Sequence, residues 1–247
     1  MAAAISVREL TMAYGPRAIQ HDLTFDVAAG EIFVIMGGSG CGKSTLLRHM
    51  IGLQKPAKGQ VFLRGDDFWA ASEAQRSQQQ RQFGVLFQSG ALWSSLTLAE
   101  NVGLIIEQYT RLDEQAVREL ASFKLALVGL RGFEDYYPSE ISGGMRKRAG
   151  LARALAIDPS ILFIDEPSAG LDPISSKQLD DLLLELRDSL NATIVMVTHE
   201  LPSIFAIADR AVFLDAVTRT MIALGDPKEL IHTADPVVRT FLKRGQR

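Results

Sequence analysis

An uninterrupted apolar run, Ile32-Phe33-Val34-Ile35-Met36, leads directly into Gly37-Gly38-Ser39-Gly40-Cys41-Gly42-Lys43-Ser44. Apolar side chains on both alternating faces suit a strand buried on two sides. The eight residues that follow fit G-x-x-x-x-G-K-S, and Ser44 to Ile51 reads as a helix. A buried strand, a glycine loop and a helix in that order direct the chain into an α/β fold with a phosphate site at the strand's C-terminal end. The glycines let successive N–H groups converge on phosphate oxygens. Lys43 is placed to reach the β- and γ-phosphates, and the Ser44 hydroxyl to ligate Mg²⁺. The expected nucleotide-binding residues here are Gly37, Gly38, Ser39, Gly40, Cys41, Gly42, Lys43, Ser44 and Thr45. Cys41 occupies a position that the motif leaves free, so a small tolerated side chain is a better reading than a redox switch.

The rest of the chain is read as an alternation of strands and helices. Val7-Arg8-Glu9-Leu10 and Leu23-Thr24-Phe25-Asp26-Val27 alternate in part, and Ala28-Ala29-Gly30 punctuates before the apolar run. The Gln-rich segment 72–82 reads as a solvated helix. Residues 97–131 are helical in pattern, with a second helical period from Asp113 to Leu130. Ile161-Leu162-Phe163-Ile164 and Thr193-Ile194-Val195-Met196-Val197 are buried strands, with a helix from Ser176 to Leu190 between them. A helix over 201–208 and a strand over 211–215 follow. This order implies a mostly parallel sheet covered on both faces. The tail from Asp226 places Val237, Val238, Phe241 and Leu242 on one helical face. The Val237/Phe241 face is expected to dock on a neighbouring subunit. The chain closes with Lys243-Arg244-Gly245-Gln246-Arg247.

Composition limits the function classes. Among 247 residues, 47% are apolar and 22% charged, as in ordinary globular proteins. The longest apolar stretch is far shorter than the roughly 20 residues a bilayer span requires. Met1-Ala2-Ala3-Ala4-Ile5-Ser6 lacks the basic region and apolar core of a secretory leader. The chain is therefore expected to stay where it is made and to reach a membrane through a partner. One cysteine, Cys41, excludes an intrachain disulfide and a cysteine zinc cluster. A net charge of −3 argues against nucleic acid as a partner.

Two further strand ends carry polar residues suited to the same crevice. Asp165-Glu166 follows the strand Ile161–Ile164: Asp165 is placed to hold Mg²⁺ through water, and Glu166 is the candidate general base for an attacking water. His199, in Val197-Thr198-His199-Glu200, follows another buried strand and can donate to a γ-phosphate oxygen. Gln88, in Phe87-Gln88-Ser89-Gly90, stands before the helical segment. Between these elements lies Ile141-Ser142-Gly143-Gly144-Met145, whose N–H groups at a helix start would form an anion site.

The order and spacing of these motifs resemble the nucleotide-binding subunit of ABC transporters over nearly the whole chain. The resemblance implies a P-loop NTPase core (1–87 and 155–225) with a mostly parallel sheet, an antiparallel N-terminal subdomain, a helical subdomain (88–154) and a C-terminal tail (226–247). It implies that Tyr14 stacks on adenine, that Gln88 senses Mg²⁺ and the transmembrane partner, and that His199 is the switch histidine. The loop Ser168-Ala169-Gly170-Leu171-Asp172 also matches. Ser142, Gly143 and Gly144 would bind the γ-phosphate of ATP held by a second copy of the chain. Within the superfamily the chain looks most like the ATPases paired with MCE-type lipid transporters, the Mla group. The carrying residues are Ile141 to Arg148, Ala152-Arg153-Ala154, Phe87 to Trp93 and Asp235 to Leu242. That likeness implies phospholipid transport at the cytoplasmic face of the inner membrane, through a multi-span permease and an MCE-domain protein, with a possible STAS-domain subunit. An importer ATPase for a polar solute is an alternative, as is a soluble ATPase of the same superfamily acting on nucleic acid or ribosomes. The latter usually carries two cassettes or long insertions.

Met145 stands where most of the superfamily has Gln, and it cannot make the hydrogen bonds of Gln. Arg146-Lys147-Arg148 reads as a solvated first helical turn rather than a nucleic-acid patch, given the net acidity. Leu92, Trp93 and Leu96 allow two readings, an exposed apolar seat for a permease helix or ordinary packing.

Overall fold

The computed structural model describes residues 3–244; Met1-Ala2 of the stretch read for a leader and Gly245-Gln246-Arg247 of the basic terminus lie outside the described residues. Alternating burial builds the first layer. β1 (Ala3–Tyr14) and β2 (Arg17–Ala28) form a long antiparallel hairpin that buries Ile5, Val7, Leu10 and Met12 against Leu23, Phe25 and Val27. Val7 and Leu10 are three residues apart yet share a face, because the register shifts between them and Glu9 takes a positive φ of 46°. β4 (Lys58–Leu63) pairs with β1, and the two-residue β5 (Asp66–Asp67) completes a sheet of order β2-β1-β4-β5.

The second sheet has the order β10-β9-β3-β8-β7-β6. It contains β3 (Ile32–Gly37), β6 (Phe83–Leu86), β7 (Ile161–Asp165), β8 (Thr193–Val197), β9 (Arg210–Leu214) and β10 (Met221–Gly225). All neighbours pair in parallel except β10 with β9. Successive residues of the central strands feed opposite faces. Phe33, Ile35, Phe163 and Val195 enter the core shared with the first sheet; Val34, Met36, Leu162, Ile164, Ile194 and Met196 enter the core under the helices. This accounts for the unbroken apolar runs in the sequence.

Nine α-helices surround the sheets among the described residues: α1 (Lys43–Met50), α2 (Glu73–Gln80), α3 (Leu98–Tyr109), α4 (Glu114–Leu127), α5 (Gly143–Ala154), α6 (Pro173–Leu190), α7 (Leu201–Ile207), α8 (Pro227–Thr233) and α9 (Pro236–Lys243). Local chemistry sets their ends. α2 and α3 start at capping boxes, Ser72 with Gln75 and Thr97 with Glu100. α4 begins where Asp113 accepts from the Ala116 N–H and ends at Val128-Gly129, so the helical pattern over 97–131 is two helices and a loop. α6 begins three residues before the expected Ser176, because Asp172 caps it and Pro173 fits the first helical position. α3, α4 and α5 pack on one another and close the second core with Val102, Ile106, Ala121, Leu125 and Leu151.

The tail forms the expected helix, α9. Val238 and Leu242 of α9 are buried, and Phe241 meets Phe213 of β9 edge to face at 5.2 Å. Phe241 is half-buried and, with Val237, 51% exposed, still lines an open groove beside Arg244, so this face stays accessible at the surface.

The contact between β6 and α5 admits no side chain at Gly84, since a Cβ there would overlap the Ala154 carbonyl oxygen. Gly84→Ala is expected to lower stability by about 1–3 kcal/mol through overpacking. Urea unfolding measures this, and an unchanged midpoint would contradict the packing described.

Candidate active site

Parallel register brings the candidate residues together. Ile35 of β3 and Asp165 of β7 both pair with Val197 of β8, and Leu86 of β6 pairs with Ile164. Four strands thus end at one edge of the sheet, and the residues that follow them share a crevice. This cleft, about 810 Å³ in volume, is lined by Tyr14, the glycine loop, Lys43, Ser44, Thr45, Gln88, Glu166 and His199.

The loop wraps the start of α1. Gly42 caps that helix at φ 103°, a backbone conformation that only glycine adopts without strain. The Lys43 ammonium folds back over the loop, 3.1 Å from both the Gly37 and Gly38 carbonyl oxygens. Cys41 points inward and is 2% exposed. Burial pushes its thiol pKa up, which opposes reactivity and suits the reading of a tolerated small side chain. The amide of Gln20, fully buried on β2, supports the loop from beneath by donating to the carbonyls of Cys41 (2.8 Å) and Asp215 (2.9 Å). Tyr14, half exposed at the end of β1, presents its ring at the cleft rim and donates to Gln54 Oε1 at 3.1 Å.

The Ser44 hydroxyl donates to Asp165 Oδ1 at 3.0 Å, so two hard oxygen donors converge beside the loop. Burial pushes the Asp165 carboxyl pKa up, the Ser44 hydrogen bond opposes this, and the neighbouring Glu166 charge adds to it. Glu166 itself has a positive φ of 48° and is 8% exposed. Its N–H donates to the Val197 carbonyl at 2.8 Å, and its Oε1 lies 2.8 Å from His199 Nδ1. Oε2 is buried without a partner among the described residues, which leaves it a free acceptor. A strained, buried carboxylate oriented by a histidine is an arrangement found at functional sites.

Ser142, Gly143 and Gly144 lie elsewhere. Ser142 caps α5, accepting from the Met145 N–H at 3.2 Å. Ser142, Gly144 and Met145 face a separate groove with Leu130, Phe133, Leu171 and Ser175. One chain therefore joins Lys43, Ser44, Asp165, Glu166, His199 and Gln88, and leaves its own S-G-G stretch outside that cleft.

The basic run after Met145 is not the solvated turn read from the sequence. Lys147 is 6% exposed and donates to the carbonyls of Glu166 (3.1 Å) and Ala169 (2.7 Å). Arg146 donates to the Ile141 carbonyl at 2.7 Å, and Arg148 to Gln178 Oε1 at 3.2 Å. Packing of α5 onto β6 and the loop after β7 turns these side chains toward backbone acceptors, which a charge count does not reveal. Sequence reasoning likewise missed Gln20, and it missed Phe241 and Arg244, which reach the cleft from α9. No local signal marks any of them. Of the three apolar residues after Gln88, Leu92 packs on the core, Leu96 is half-buried and Trp93 is 64% exposed.

Residues 20–169 match the family model described as ABC transporter. The chain is 41% identical to "Probable ribonucleotide transport ATP-binding protein mkl" of Mycobacterium leprae (strain TN), over 98% of this chain and 69% of that protein. It is 39% identical to the intermembrane phospholipid transport system ATP-binding protein MlaF of Haemophilus influenzae, over 97% of this chain and 90% of the relative. Its fold superposes with a TM-score of 0.82 and 27% identity on a dimeric ATP-binding cassette solved in a post-hydrolysis state bound to ADP and Pi, covering 90% of this chain and 98% of that one. With a family match across the glycine loop, the S-G-G stretch and the acidic pair, the chain belongs to the ABC transporter family as an ATP-binding, ATP-hydrolysing subunit.

Proposed function

We propose that this chain energises phospholipid transport between the inner membrane and an MCE-domain protein, working as a pair of copies on the cytoplasmic face of a multi-span permease. The observation that carries the paired reading is the split site. The catalytic carboxylate and glycine loop share one cleft, whereas Ser142 and its helix N-terminus face a different groove. An anion site of N–H groups and a hydroxyl with no phosphate-binding partner in its own chain is suited to the γ-phosphate held by a second copy. The solved cassette similar to this chain is dimeric, which supports the same arrangement.

Within each cleft, Tyr14 offers its ring to the base, the loop and Lys43 cradle the phosphates, and Thr45 extends the helix N-terminus behind them. Mg²⁺ fits the donor set: it favours oxygen ligands, keeps several waters and needs one or two carboxylates beside the nucleotide phosphates. Ser44 and Asp165 would hold it, with Gln88 at the same edge. When bound, Mg²⁺ offsets charge that develops on the phosphate oxygens. Glu166 accepts a proton from water as that water attacks the γ-phosphorus in line and the bond to the β,γ-bridging oxygen breaks, releasing ADP and phosphate, and His199 orients the carboxylate through its Nδ1 contact.

Lipid cargo is supported by near end-to-end similarity to a relative named for intermembrane phospholipid transport and by the resemblance of Ile141–Arg148, with Met145, to the Mla group. Among the described residues no helix is long and apolar enough to cross a membrane, so attachment through a permease is part of the proposal. The segment 88–154 is the proposed permease-facing lobe, where Trp93 stands at a groove with Phe87, Leu104 and Tyr109. A STAS-domain subunit is a further proposed partner. Ribonucleotide cargo is a second reading, motivated by the 41% identical relative named for it.

Lys43→Ala is expected to remove ATP binding; calorimetry checks this, and unchanged affinity would sink the loop assignment. Glu166→Gln should bind ATP, lose at least about a hundredfold in turnover and accumulate as an ATP-bound dimer on gel filtration. Normal steady-state hydrolysis by that variant is incompatible with the general-base role. Mass spectrometry of the complex purified from its own membrane should find bound phospholipid. Stimulation of its ATPase by ribonucleotides, with no retained lipid, would favour the second reading.

A further inference from the structure

Lys147 lies on α5, whose N-terminus carries Ser142-Gly143-Gly144, and its ammonium is buried against two backbone carbonyls. No carboxylate pairs with it within salt-bridge distance among the described residues. Burying a cation with only neutral acceptors is costly, and an apolar side chain of similar volume often stabilises a fold as well or better. Stability alone therefore gives weak reason for a lysine here.

The acceptors indicate what the charge achieves. One is the carbonyl of Glu166, a residue held at a positive φ of 48° that a side chain seldom tolerates. The other is the carbonyl of Ala169, in the loop leading to α6. The Glu166 N–H is bonded to β8 through Val197, and its carbonyl is bonded to α5 through Lys147. Both polar backbone atoms of Glu166 are thus clamped from different elements, and the carboxylate is left pointing at His199. Without the ammonium, the Glu166 carbonyl keeps, among the described residues, the 3.3 Å bond from the Ala169 N–H, and the Ala169 carbonyl loses its side-chain donor.

We propose that Lys147 is a positioning residue for hydrolysis, fixing the strained Glu166 peptide and the Ala169 loop so that the carboxylate stays aimed at the attacking water. The clamp also joins Glu166 mechanically to the helix that presents Ser142. The proposal rests on the reading of Glu166 as general base, and the test separates the two.

Lys147→Met keeps the stem and removes the donor, and Lys147→Arg restores donors. Each is made alone and in the Glu166→Gln background, in the full chain with the subunits that co-purify with it. ATP affinity, KM and single-turnover hydrolysis are measured. Lys147→Met should lower kcat about ten- to a hundredfold, the scale of a misplaced catalytic group, with ATP affinity and KM unchanged. Lys147→Arg should recover part of the loss. In the Glu166→Gln background Lys147→Met should add little further loss, because residues acting through one group are not additive. If Lys147→Met does not fold, Lys147→Gln, which keeps one donor arm, replaces it with the same expectations at smaller size. Unchanged kcat, a parallel loss of ATP affinity, or the same fold-loss in both backgrounds would overturn the proposal. Full turnover by Glu166→Gln alone would instead remove the general-base reading.

Discussion

The common level at which β3, β8, β7 and β6 end is the constraint on which the site depends. Pairing of Ile35 and Asp165 with Val197 places the glycine loop, the acidic pair and His199 at one edge. That register is held by burial on both faces. Phe33 and Phe163 point into one core while Val34 and Leu162 point into the other. A slip of one residue would exchange these sets and move each polar residue out of the crevice.

On this scaffold the polar chemistry is arranged by clamps between distant segments. Gln20 supports the loop from β2, Ser44 reaches Asp165 across 121 residues of chain, and Lys147 braces Glu166 from α5. Other buried charges follow the same rule of satisfied partners: Lys124, 1% exposed, is paired with Asp158 at 2.6 Å, and Asp180 accepts from Ser203 at 2.8 Å. Glu166 departs from it, with a strained backbone and one buried carboxylate oxygen that has no partner among the described residues. Strain and an unsatisfied acceptor at the same residue are a cost that the sheet and α5 jointly sustain where chemistry is required.

Separation of the S-G-G stretch from the glycine loop links this geometry to the proposed transport cycle. If two copies sandwich two nucleotides, each chain lends a helix N-terminus to the other's phosphate, and ATP favours the closed pair by binding it more tightly than the open one. Loss of the γ-phosphate removes that preference. Lys147 would then connect the helix engaged with one nucleotide to the general base acting on the other.

Much of this was legible in the sequence where chemistry is local. The glycine loop and the apolar strands each act within a few residues, so spacing alone reveals them. Asp165, Glu166 and His199 could be placed at strand ends because a parallel sheet puts such ends together. Tertiary structure decided the rest. Lys147 finds its acceptors 19 and 22 residues away, Gln20 finds Asp215 195 residues away, and Phe241 finds Phe213 beyond the intervening β10 and α8. No periodicity encodes such pairs, since each depends on how whole elements pack. That is why a basic run that looked solvated contains a buried lysine, and why Phe241 of the tail is seated edge to face on Phe213.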